Sequence, residues 1–174
     1  EIGMREIVPL IDRTWVDQII VSDYKSIDGT VAFAREQELE VVNQQQPGLR
    51  RAFIEALPFI RGDIVICFSP DGNSLPEKIP ELIEKMRLGY DMVIVSRYLD
   101  GAKSYDDGLI TGFGNWCFTF IINLLFRGKY TDAMVMYRAC KKQVFYDLEL
   151  DEDRHFATPE RLFRTNICLM PLLS

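Results

Sequence analysis

Short runs rich in Val and Ile recur at residues 16–22, 40–43, 63–68 and 91–96, and segments with a helical apolar rhythm lie between them. Continuous runs of this kind read as strands covered on both faces. Leu49, Ala52, Phe53, Ala56 and Leu57 repeat at three and four residues, as do Ile79, Leu82, Ile83 and Met86, so each set predicts a helix with one buried stripe. Pro76 stands where a first helical turn accepts proline. The alternation predicts an α/β fold: a mostly parallel, doubly wound sheet with right-handed crossovers and helices on both faces, the four runs parallel and adjacent. The 174 residues fit one domain with a substantial core. No repeat or linker divides it, and residues 101–108 are the best candidate for a mobile loop.

The third run empties directly into an acidic loop, GDIVICFSPDGNSLPE at 62–77. Open α/β sheets bind ligands at the carboxyl ends of their strands. Asp71 offers a carboxylate, Asn73 a carbonyl oxygen, and Gly72 between them allows a tight bend. Such oxygens suit a hard cation, Mg²⁺ or Mn²⁺, shared with a diphosphate. The same residue types also build plain turns, so the loop alone leaves both readings open.

A net charge of −6 argues against a nucleic-acid partner, which requires clustered Lys and Arg. Phosphate-bearing substrates must then be met by local basic residues or a metal. Cys67, Cys117, Cys140 and Cys168 are widely spaced among apolar neighbours and form no CxxC pair, which fits core thiols in a reducing, cytoplasmic setting. His155 is the only histidine and excludes a multi-His metal centre. With no signal peptide and no initial Met, the chain is expected to be a single catalytic domain truncated at both ends.

Several motifs occur together in one order. VSDYKSIDGT at 21–30 resembles the strand-to-turn motif VVDDGSTDGT of family-2 glycosyltransferases of GT-A fold, and GLRRA at 48–52 resembles their GxGxA turn. SPDGN at 69–73 with Pro76 and Glu77 is similar to DxDxQ followed by Pro-Glu; VSR at 95–97 resembles GSR, and DAMVMYR at 132–138 resembles DxxxGxR. The resemblance runs from about Val16 to Arg138 and is nearest to dolichyl- and polyprenyl-phosphate sugar synthases. It implies a metal-dependent, inverting transfer of a sugar from a nucleotide-diphosphate donor. In that scheme Asp23, Ser26, Asp28 and Arg51 bind the nucleotide, Arg97 the donor diphosphate, and Asp71 and Asn73 the metal, Mg²⁺ or Mn²⁺. Asp132 is the base for a hydroxyl acceptor, and Arg138 faces the acceptor.

Each residue has a plainer reading as well. Asp23 can cap a turn with Ser26, Asp28 can start a helix, Arg51 can be an exposed helical arginine, and Asp132 with Arg138 can be a structural ion pair. Asp151, Glu152 and Asp153 read as a solvated loop, with a base among them as the alternative. The departures are specific. Ser69 replaces the first metal-motif Asp, Arg50 the second glycine, Tyr24 an acid and Met136 a glycine. Met170 stands where an acid commonly precedes a final Leu-Leu, and the family's first strand is barely traceable in residues 4–9.

Residues 114–126, GNWCFTFIINLLF, predict a helix in which Thr111, Asn115, Thr119 and Asn123 form a narrow polar stripe. The stripe spans roughly 20 Å, too short to cross a bilayer. Either this is a core helix lining a cleft, with Trp116 and Phe120 buried, or its aromatic side dips into a membrane surface. Lys103, Arg127 and Lys129 near its ends suit a lipid phosphate. We therefore expect a polyprenyl phosphate acceptor at the cytoplasmic face of a membrane. A saccharide hydroxyl acceptor, a catalytically eroded nucleotide-sugar-binding domain and an unrelated doubly wound domain are the alternatives.

Overall fold

The structure, a computed structural model, describes residues 1–72, 74–99, 109–126, 129–132, 135–147 and 167–171. Strand β1 (Ile20–Asp23) pairs in parallel with β2 (Glu40–Asn43), Asp23 lying opposite Asn43 at the carboxyl ends. Helix α2 (Thr30–Glu36) makes the crossover. Its Phe33 and Ala34 pack with Leu39 and with Met4 and Val8, which belong to α1 (Ile2–Ile7) and the 3-10 turn Val8–Leu10.

A second sheet has the order β3-β5-β4-β6, formed by β3 (Ile64–Cys67), β4 (Met92–Ser96), β5 (Arg138–Lys141) and β6 (Ile167–Pro171). β5 runs antiparallel to both β3 and β4, whereas β6 is parallel to β4. Leu82 and Met86 of α4 (Ile79–Arg87) close over Val93, Val95, Tyr137, Ala139 and Met170, the centre of the largest core. Full burial of each large apolar side chain contributes about 1.5–3 kcal/mol, so this contact is the main anchor of the second sheet. Leu57, Cys140 and Phe145 form a smaller cluster. Phe53 of α3 (Leu49–Ala56) packs against it, and Phe145 comes from α6 (Lys142–Asp147).

The α/β class is as expected, with four corrections. The runs at 63–68 and 91–96 are parallel to each other but not adjacent, because β5, a four-residue strand without a long apolar run, inserts between them. Residues 4–9 contribute to a helix and a 3-10 turn instead of a first strand, and their buried Met4 and Val8 cover α2. The first strand begins only at Ile20, and the Gln18 side chain just before it bonds to the segment leading into β3: Nε2 donates to Phe59 O at 2.9 Å, and Oε1 accepts from Arg61 N at 3.0 Å. Finally, Leu49 is exposed, so the apolar stripe of α3 buries only its later part around Phe53 and Leu57.

Candidate active site

The carboxyl ends of β1 and β3 open on the same edge, one on either side of the first turn of α1. The Glu1 carboxylate accepts a hydrogen bond from Gly29 N at 2.8 Å, while a Cβ placed on Gly3 would lie 1.9 Å from the Pro70 carbonyl oxygen. That approach requires glycine. On one flank, buried Asp23 ends β1, and its Oδ2 accepts from Ser26 N at 3.2 Å. Asp28 accepts from Thr30 N at 3.1 Å just where α2 begins. Hydrogen bonds from Thr30 hold its carboxyl well below the usual range. Both carboxylates therefore shape the turn between β1 and α2. Arg51 lies half-buried in the first turn of α3, behind Gly48 at φ +111°.

On the other flank Asp71 is exposed in the loop after β3, where Gly72 takes φ +86°. Asn73 lies outside the described residues. Among the described residues no three His, Cys, Asp or Glu side chains converge as a protein-only cage. One or two carboxylates completed by substrate phosphates is the ordinary way of binding Mg²⁺, and an exposed Asp71 fits that mode.

A dense polar cluster lies at the end of β4. Thr131 Oγ1 donates to Ser96 Oγ at 2.7 Å, bringing the next residue, Asp132, against Arg97. Arg97 Nε donates to Asp132 Oδ2 at 2.7 Å, Nη2 to Oδ1 at 3.1 Å, and the Arg97 backbone N to Oδ2 at 3.3 Å. Asn115 Nδ2 adds a bond to Oδ1 at 3.0 Å. Asp132 is fully buried, which by itself pushes its carboxyl up. The hydrogen bonds from Arg97 and then Asn115, with the guanidinium charge, outweigh burial and leave it below the usual range. A carboxylate gripped by four donors and hard to protonate is a poor proton acceptor. Asp132, the residue expected as base, is thus ion-paired with Arg97, and its partner is Arg97 instead of Arg138. Arg138, half-buried on β5, donates through Nη2 to the Val135 carbonyl.

Helix α5 (Leu109–Phe126) is longer than expected and turned outward. Asn115 and Thr119 are buried, and Asn123 pairs with the backbone of Tyr130. Trp116 is 62% and Phe120 54% exposed, against the core-helix reading. Phe113, Trp116 and Phe120 stack in sequence with ring centroids 6.0 and 5.7 Å apart. Leu124 and Leu125 extend the exposed apolar face. The stripe was visible in the sequence, but its target, Asp132, was not. Lys129 is exposed at the end of this element. Lys103, Arg127 and Asp151 to Asp153 lie outside the described residues, as does the side chain of Thr111.

Residues 13–149 match the model of glycosyl transferase family 2. The chain belongs to that family. It is 34% identical over 91 residues to the dolichol-phosphate mannosyltransferase of Pyrococcus furiosus, a match covering 49% of this chain and 26% of the relative. It is 27% identical over 157 residues to the undecaprenyl-phosphate mannosyltransferase of Micrococcus luteus, covering 85% of this chain and 62% of the relative. The chain therefore spans about a quarter and under two thirds of these relatives' lengths. Glucosyl-3-phosphoglycerate synthase from Mycobacterium tuberculosis, crystallised with Mn²⁺, UDP-glucose and phosphoglyceric acid, superposes with a TM-score of 0.68 at 21% identity, over 97% of this chain and 63% of that one. The fold of this family-2 domain is thus GT-A, with its split sheet and strand-end loops in the arrangement described above. Among the described residues no helix is long and apolar enough to cross a membrane.

Proposed function

We propose that this family-2 domain catalyses inverting transfer of a sugar from a nucleotide diphosphate to a polyprenyl phosphate. The observation that carries the lipid acceptor is the orientation of α5, whose polar residues point inward while Trp116, Phe120, Leu124 and Leu125 face outward. An exposed apolar face of this extent marks a contact site, and an aromatic-rich helix face suits the boundary between headgroups and acyl chains. The relatives named for dolichol- and undecaprenyl-phosphate transfer support the same acceptor class. In this reading α5 borders the acceptor's entrance and makes a peripheral contact with the cytoplasmic face of the membrane.

Asp23 would accept a ring N–H of the nucleotide base, with Ser26, Asp28 and Arg51 framing the nucleotide around it. Asp71 and Asn73 would hold Mg²⁺ or Mn²⁺ against the donor diphosphate, where a divalent cation neutralises charge on the leaving group. Arg97, aimed by Asp132, would meet a diphosphate oxygen and stabilise the same developing charge. Arg138 would face the acceptor. A phosphate acceptor is already ionised and needs no base, which agrees with Asp132 being committed to Arg97.

The test is transfer of radiolabel from UDP- and GDP-sugars with polyprenyl phosphate supplied in vesicles and Mn²⁺ present. Label entering the organic phase supports the proposal. Label found only in water-soluble saccharide sinks the lipid acceptor and favours a hydroxyl acceptor. Donor binding without any transfer favours the eroded binding domain.

A further inference from the structure

The inner side of α5 is connected to the strand-end cluster by a continuous chain of hydrogen bonds. Thr119 Oγ1 donates to Asn115 Oδ1 at 3.3 Å, Asn115 Nδ2 to Asp132 Oδ1 at 3.0 Å, and Asp132 grips Arg97 through both oxygens. Thr119, Asn115 and Asp132 are all buried, so water does not compete for these bonds. Asparagine in a helix interior is unfavourable relative to alanine or leucine because its amide prefers local backbone partners. At a buried position that cost is met only by a fully used side chain, and here both ends of the Asn115 amide are used.

The geometry also says what Asn115 adds. A carboxylate facing a guanidinium can twist about its own axis and exchange one two-point arrangement for another. A further donor, fixed to a different element from Arg97 and directed at Oδ1, holds the carboxylate plane and therefore the guanidinium plane. The Thr119 hydroxyl in turn orients the Asn115 amide so that its NH₂ faces Asp132. We infer that Asn115 is a positioning residue that sets the orientation of Arg97 through Asp132, with Thr119 as its orienting partner. The outer side of the same helix is the exposed aromatic face, so the seating of α5 on whatever it contacts is transmitted to Arg97 by one rigid element. What Arg97 meets rests on the glycosyltransferase reading; the orientation itself does not.

The experiment measures the Arg97 Nε–H proton by NMR in the parent, Asn115→Leu, Thr119→Val and Thr119→Ser. Asn115→Leu keeps approximate shape and removes both bonds; Thr119→Val removes only the hydroxyl, and Thr119→Ser keeps it. Solvent exchange of the Arg97 Nε–H is expected to quicken at least about tenfold in Asn115→Leu, less in Thr119→Val, and to match the parent in Thr119→Ser. Donor-sugar turnover should fall in the same order with KM for the donor little changed, since misplacement of a charge-stabilising group by an ångström costs up to about a hundredfold in rate. Should Asn115→Leu not fold, the Thr119 pair decides. Unchanged Arg97 exchange in folded variants overturns the inference. A parent without transferase activity overturns the functional reading, and the exchange measurement then still decides the role of Asn115.

Discussion

Asn123 and Tyr130 exchange two hydrogen bonds of 2.7 Å, the side-chain amide donating to the Tyr130 carbonyl and accepting from its N–H as a neighbouring strand would. The end of α5 is thereby clipped to the segment that carries Thr131 and Asp132. With Asn115 one contact further back, α5 is held by polar bonds on its inner side while its apolar residues face away. This reverses the usual amphipathic arrangement of a surface helix.

Vesicle binding should follow from that reversal. In a Trp15→Phe background, leaving Trp116 as the sole tryptophan, emission should shift to the blue on adding phospholipid vesicles. Double replacement of Trp116 and Phe120 by Ser should abolish co-flotation with vesicles. Because both side chains are mostly exposed, the melting temperature should change little. A flotation level equal to the parent's would remove the membrane contact from the proposal.

Asp71→Ala should weaken Mn²⁺-dependent binding of a nucleotide diphosphate by about tenfold or more, equivalent to roughly 1.4 kcal/mol. Ser69→Asp should strengthen it, since added carboxylate charge raises affinity for hard cations. Calorimetry with Mn²⁺ and UDP or GDP reads both. Equal binding by parent and Asp71→Ala would rule out Asp71 as a ligand.

The Arg97–Asp132 pair has a defined acid limit. Its carboxyl is held below the ordinary value of about 3.9. The pair's contribution is therefore complete above that value and is lost as pH falls through the lower, folded-state value. Asp132→Asn should cost about 3–5 kcal/mol near neutral pH, as expected when a buried charge loses its partner. Denaturant unfolding should show the gap between parent and variant narrowing below about pH 4. A gap that stays constant from pH 7 to pH 2 would contradict the assignment.

Gly3→Ala should lift α1 away from the Pro70 loop. Alanine favours the helix by roughly 1 kcal/mol, but the new Cβ would lie 1.9 Å from a backbone oxygen that cannot swing aside. Overpacking of that kind costs about 1–3 kcal/mol. The expected result is a lower melting temperature, with faster amide exchange at Met4 and Asp71. A melting temperature above the parent's would show that the contact is not formed.

The α/β alternation was legible because β3 and β4 are apolar runs, β2 carries the β-branched pair Val41 and Val42, and α4 keeps a regular buried stripe through Ile79, Leu82 and Met86. β5 was not, since Arg138 to Lys141 has charged ends and only Ala139 and Cys140 between them, and its place in the sheet is fixed by partners far away in sequence. In the site, Arg97 and Asp132 were each singled out, yet their pairing across 35 residues carries no local signal. The stripe of α5 showed which residues share a face. Its direction was hidden because hydrophobicity alone assigns Trp116 and Phe120 to the interior, whereas Asp132 supplies a stronger claim on Asn115.

Among the described residues no ladder joins β1 to β3, and the amide of Gln18 links their bases through Phe59, Arg61 and, at 2.5 Å, the Glu40 carboxylate. Packing adds to that link, because α3 contacts β1 and seats Phe53 on the Leu57, Cys140 and Phe145 cluster, and α1 meets the Pro70 loop. A nucleotide diphosphate reaching from Asp23 to Asp71 would fasten β1 and β3 at the opposite end. Its occupancy should then appear as slowed hydrogen exchange throughout β1 and β2, well beyond the residues it touches.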